Sequence, residues 1–221
     1  MTSIAVVHIG HRLNGIGGPL DFDTLSLVDT GRGSIACKIL LDQTRQSNTI
    51  QYWSTGMAGC SPISLDPHTT LAEVNAERVS QILDSALMEA GIPEKMILFR
   101  RICTLSALHE IHEAESMIRQ TGVEIVHVVS SKFYFDVYDV IWKLVAQRCG
   151  VTLIIEPIAH AQGMIKPDLE KFKEETFHPP CLIKLAQFGR LGLFLASRLA
   201  DYAERARYRQ RCREALRSVL R

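Results

Sequence analysis

Apolar residues along this chain fall alternately into short β-branched runs and into stripes at helical spacing, and that alternation predicts a parallel α/β fold. Residues 123–135, Val-Glu-Ile-Val-His-Val-Val-Ser-Ser-Lys-Phe-Tyr-Phe, carry the clearest case. The run ends in a serine pair and passes directly into an amphipathic segment, as a buried parallel strand does when it hands over to a helix. That helix is expected to begin near Ser131 and to reach Arg148. Residues 4–9, 49–53, 96–99 and 151–156 predict four further strands.

Between them lie helical stripes. Ile35, Ala36, Ile39 and Leu40 recur within residues 32–46. Thr70-Leu71-Ala72-Glu73 has the form of a capping box, in which Glu73 satisfies the helix's own backbone, and the helix it opens is stopped by Gly91 and Pro93. Another helix runs from Ser106 to about residue 120. The expected architecture is α/β: a three-layer Rossmann-like fold with a mostly parallel five-stranded sheet over residues 1–160, and a C-terminal helical extension over residues 161–221. In that extension a polar helix at 165–175 is followed by a break at Pro179-Pro180. Leu185, Phe188, Leu191, Leu195 and Leu199 then mark a long helix that either packs on the domain or serves as a dimerisation arm.

An open parallel sheet binds ligands outside the carboxyl ends of its strands, so the residues expected there are the candidate site. After the first strand, Gly10, His11, Asn14 and the glycines to Gly18 form a loop that either simply turns or lets backbone approach a ligand. It has neither the Gly-Lys-Ser/Thr of a P-loop nor the Gly-x-Gly-x-x-Gly of a dinucleotide fold. The second strand is expected to end in Ser54-Thr55-Gly56, the third in Arg100-Arg101 with Ser106 beyond, and the fourth in Ser130 and Ser131 with Tyr134 one turn on. Glu156 closes the fifth strand and His160 stands past it. In His109-Glu110-Ile111-His112-Glu113 the histidines are three apart rather than four, which is not the zinc-binding His-Glu-x-x-His arrangement; a solvated or sheet-edge helix face is the expectation.

Length and charge narrow the class. The chain has 221 residues, enough for one sizeable core, and its formal net charge is +1. That charge is unevenly spread: residues 189–221 hold nine Arg against Asp201, Glu204 and Glu214, so this end carries +6 and the remainder −5. The six cysteines are scattered, with no Cys-x-x-Cys pair, which predicts reduced thiols and no zinc site. The start of the chain lacks the basic region of a signal peptide, and no segment reaches the about 20 apolar residues of a membrane span. A soluble cytoplasmic protein is expected.

The order of these pieces resembles the bacterial YdcF, SanA and ElyC-like family, a domain of unknown function, over roughly residues 4–156. Ser54-Thr55-Gly56 matches the family's Ser-Gly-Gly turn, Gly91-Ile92-Pro93-Glu94-Lys95-Met96-Ile97-Leu98 its Gly-Val-Pro-x-x-x-Ile-Leu, and Val128-Val129-Ser130-Ser131 its Val-Thr-Ser. The family's Asn-Thr-x-Glu-Asn signature falls on Ser106-Ala107-Leu108-His109-Glu110, and its His-x-x-Arg on Tyr134-Phe135-Asp136-Val137, so the polar signature is largely replaced. The resemblance implies a small anionic or nucleotide-like ligand at the carboxyl edge, S-adenosylmethionine as a cofactor, and the cytosolic branch of the family.

Three functions follow as expectations. The first is a transferase or hydrolase acting on a phosphate-, nucleotide- or sugar-like substrate. In it Gly10, Ser54, Thr55, Ser130 and Ser131 hold the anion, Arg100 or Arg101 complements its charge, and His11, Glu156 or His160 moves protons. The second is a non-catalytic metabolite sensor that signals through the C-terminal arm, with a homodimer as one form of that arm. The third, nucleic-acid binding, draws on the Arg-rich end and on Tyr202 and Tyr208 beside it, and no nucleic-acid motif accompanies them.

Overall fold

Five strands form one sheet in the order β3-β2-β1-β4-β5, every pair parallel. They are β1 (Ser3–His8), β2 (Thr49–Met57), β3 (Leu98–Thr104), β4 (Ile125–Ser131) and β5 (Thr152–Ile158). The helices are α1 (Leu27–Arg45), α2 (Ala107–Thr121), α3 (Lys132–Cys149), α4 (Pro180–Ala186) and α5 (Gly189–Val219). The structure, a computed structural model, describes residues 2–9, 27–46, 49–57, 79–82, 84–85, 88–89, 97–104, 106–158 and 178–219. The glycine loop with Gly10, His11 and Asn14, the capping box at Thr70, His160 and the helix expected at 165–175 lie outside the described residues.

Strands β1 and β4 are central and buried on both faces, which is why their sequences are continuous apolar runs rather than alternating ones. One face takes α1, whose Ala36, Cys37 and Leu40 meet Val6, Ile50, Tyr52 and Val129. The other takes α2 and α3, with Ile111, Tyr138, Ile141 and Trp142 over Ala5, Val7, Val126 and Val128. The layers are those of a Rossmann-like fold. Strand order reverses between β1 and β4, and at such a switch point the crevice outside the carboxyl ends opens.

Helix α3 begins as expected. Ser131 is its N-cap and accepts from the Tyr134 backbone N–H, and Gly150 ends it with φ 68°, in the left-handed region that a side chain disfavours. Two strands run further than expected. β2 continues through Ser54-Thr55-Gly56 to Met57, and β3 runs in register beside it to Thr104, so the serine and threonine lie within a strand rather than in a turn. Arg100 and Arg101 are likewise strand residues, tolerated because β3 is an edge: Arg101 is exposed and Arg100 half-buried. At the other edge β5 runs past Glu156 to Ile158, and its missing Pro157 N–H is harmless on an edge strand.

Helix α5 packs on α2 through Leu193, Ala196 and Ala200. Gly192 sits where α4 turns into α5, and a Cβ there would collide with the Leu185 carbonyl oxygen, so this corner needs glycine. Of the two alternatives for the C-terminal segment, its first half packs on the domain.

Candidate functional site

Pairing brings the expected residues into two rows at the carboxyl side of the sheet. Arg101, Ser54, His8, Val129 and Glu156 are register partners across all five strands. Thr55 and Ser130 belong to the next row, on the opposite face, where α2 and α3 cover the sheet. Ser54 and Ser130 are fully buried, and neither hydroxyl has a hydrogen-bond partner among the described residues.

The strongest chemistry is where Thr55 meets α2. The Thr55 hydroxyl lies 3.0 Å from Glu110 Oε1, to which it donates, and 3.3 Å from the His8 carbonyl oxygen. Glu110 comes to this place because Ser106 caps α2 and turns the helix so that Glu110, Ile111, Ala114 and Ile118 face inward. Burial pushes the Glu110 carboxyl from its ordinary 4.5 up to about 7, against the pull of the Thr55 hydroxyl and the Arg32 guanidinium. Such a group exchanges a proton at neutral pH.

Arg32, 2% exposed on α1, donates to the Ile9 carbonyl oxygen at the end of β1. From there it acts on both faces of the sheet. On the α1 face, His8 Nδ1 is 2.7 Å from the Tyr52 hydroxyl, and burial followed by the Arg32 charge holds its imidazole down to about 3, hence neutral. On the α2 face the Arg32 charge, ahead of that of His109, moderates Glu110.

A second polar junction adjoins the first. Ser106 donates to Asp201 Oδ1 at 2.8 Å, and His109 Nδ1 forms an ion pair with Asp201 Oδ2 at 2.7 Å. His109 Nε2 lies 3.3 Å from Glu113. Burial alone would lower the His109 imidazole, but the Asp201 and Glu113 carboxylates outweigh it and the value is raised. Asp201 comes from α5, so the C-terminal helix reaches the edge of the site.

Several expected residues stand elsewhere. Tyr134 is turned into the core between α2 and α3, where it accepts from Trp142 Nε1 at 3.1 Å. Burial and then the Glu110 charge raise its phenol well above the ordinary value, so it stays protonated. The Ser131 hydroxyl is used as the cap of α3. Glu156 is part-exposed on edge strand β5 and contacts His127 Nδ1 at 3.3 Å, on the α1 face, away from Glu110. Gly56 pairs with Cys103 inside the sheet. Ser106 contributes through its cap and through Asp201.

Arg32, His8, Glu110, His109 and Asp201 complete the arrangement and were not among the expected site residues. Glu110 left a signal: it occupies a position of α2 otherwise taken by the apolar Ile111, Ala114 and Ile118 stripe. The described end of β2 offers Ser54, Thr55, Gly56 and Met57 and no carboxylate, whereas a nucleoside-type cofactor on this fold has its ribose held by an acid there. These residues therefore do not supply the ribose clamp that S-adenosylmethionine would use. Among the described residues no group of His, Cys, Asp and Glu could hold a metal ion. A shallow groove of about 430 Å³ beside α1, lined by Ser34, Cys37, Lys38, Leu41, Asp42 and Ile82, lies away from this chemistry. No family model, curated protein or solved structure matches the chain.

Proposed function

We propose that the chain is an enzyme, a hydrolase or transferase, acting on a small phosphate- or sugar-like anion at the carboxyl edge of the sheet near the β1–β4 switch point. The observation that carries this reading is Glu110: buried, held by Thr55, and poised at about 7 beside the Arg32 guanidinium. A carboxyl with that value can give a proton to a leaving oxygen and take one from water at neutral pH. Arg32 and the buried Ser130 hydroxyl supply a positive charge and a donor for the anion. Burying unsatisfied hydroxyls at strand ends is unfavourable without a ligand to meet them.

A second reading has its own observation. Asp201 links Ser106 and His109 to α5, so ligand occupancy could be felt along that helix without any turnover. One experiment separates the readings: thermal-shift screening against inorganic phosphate, sugar phosphates, nucleotides and S-adenosylmethionine, followed by turnover of the stabilising compound. Saturation at 100 times the dissociation constant adds about 2.7 kcal/mol. The enzyme reading expects a sugar phosphate or phosphate to stabilise the protein, with turnover lost in Glu110→Gln while binding persists. Stabilisation without turnover favours the sensor, and no stabilisation by any phosphate compound contradicts both.

A further inference from the structure

Helix α5 has two unlike faces. Inward it presents Leu193, Ala196 and Ala200 to the core, and its two described carboxylates, Asp201 and Glu204, are 5% and 6% exposed. Outward it presents Phe188, Leu191, Leu195, Leu199 and Tyr202, each between 43% and 77% exposed. Their spacing of three, four, four and three residues sets them in one stripe about 20 Å long, beginning just before the helix. Arg198 and Arg205 are exposed along its flank, and Arg213 and Arg217 are exposed further on. Continuing the same spacing from Tyr202 reaches the exposed Arg213 and Arg217, so the face that is apolar in its first half carries arginines in its second.

We propose that this face docks on the surface of an anionic phospholipid bilayer, with the helix lying in the interface. The apolar stripe enters the boundary between headgroups and acyl chains, and the arginines lie on the phosphate layer. A bilayer of this kind satisfies both halves of the face. A second copy of the chain does not, because it presents the same arginines, and no described carboxylate on the outer surface of α5 is placed to receive them. A nucleic acid would take up the arginines and leave the leucines in water. No helix among the described residues is long and apolar enough to cross a membrane, so the contact is peripheral.

The test is cosedimentation of the full chain with vesicles of phosphatidylcholine alone or mixed with phosphatidylglycerol. The protein is expected to pellet with the anionic vesicles and not with the neutral ones, and to be released at about 1 M salt, where screening reaches about 3 Å. Replacing Leu195→Glu and Leu199→Glu together should abolish pelleting with the circular dichroism unchanged. Should that variant fail to fold, Arg213→Gln with Arg217→Gln keeps the test: each arginine removed weakens binding about fivefold. Protein remaining in the supernatant with anionic vesicles overturns the proposal, as does binding that neither variant weakens. A dimer in sedimentation velocity that Leu195→Glu dissolves would assign the stripe to a second copy instead, and salt-sensitive oligonucleotide binding without vesicle binding would assign the face to nucleic acid.

Discussion

Glu110 is 6% exposed and carries an acid into the layer where α2 packs on the sheet, against Thr55. Because its folded value of about 7 lies above its ordinary 4.5, the folded state holds the proton more tightly than the unfolded chain. Its contribution is therefore fully present below about 4.5 and is lost as pH rises through about 7. The span corresponds to roughly 3 kcal/mol of destabilisation at alkaline pH. Glu110→Gln keeps the shape and an acceptor for Thr55 without the charge. The variant is expected to melt above wild type at pH 8 and close to it at pH 4, which a pair of thermal melts reads. A group that weakens the fold at working pH is typical of a site kept for chemistry. Its neighbours differed in how they could be read. Ser130 was legible because a small hydroxyl following Val128 and Val129 marks a strand end, and Ser54 and Thr55 were legible as small hydroxyls on the carboxyl side of β2. Arg32 and His8 were not, because an arginine inside a helix and a histidine inside a strand look the same whether they face solvent or a neighbouring strand end.

Among the elements, α2 and α3 are tied where they leave the sheet. The Glu115 carboxylate, 1% exposed, receives Arg148 at 2.9 and 3.2 Å and Arg119 at 3.1 Å. Burial alone would raise its value, but the two arginines outweigh that and lower it. Its stability contribution is thus present above the ordinary 4.5 and is lost as pH falls through the folded value. Glu115→Ala should cost about 2 kcal/mol near neutral pH, between an exposed and a fully buried pair, and denaturant unfolding measures it. These helices were legible in sequence because each combines an apolar stripe with a serine cap and a following glycine. The ends of β2 and β3 were not, since a strand's length is set by the partner beside it. Ser54-Thr55-Gly56 looks like a turn until β3 pairs along it to Thr104.

Over the whole molecule, against a remainder that carries −5, the +6 end becomes one helix with two duties. Its described acids Asp201 and Glu204 are buried, Asp201 holding Ser106 and His109 at the rim of the site, while Arg198, Arg205, Arg213 and Arg217 are exposed. The parallel three-layer fold was legible from the alternation of runs and stripes, whereas this link was not, because Asp201 and Ser106 stand 95 residues apart. Everything proposed for the site converges on the protonation of one carboxyl. The most direct measurement is the carbon chemical shift of the Glu110 carboxyl followed across pH in the intact protein, assigned with Glu110→Gln. An inflection near 7 is the predicted result, and an inflection in the ordinary range near 4.5 would contradict it.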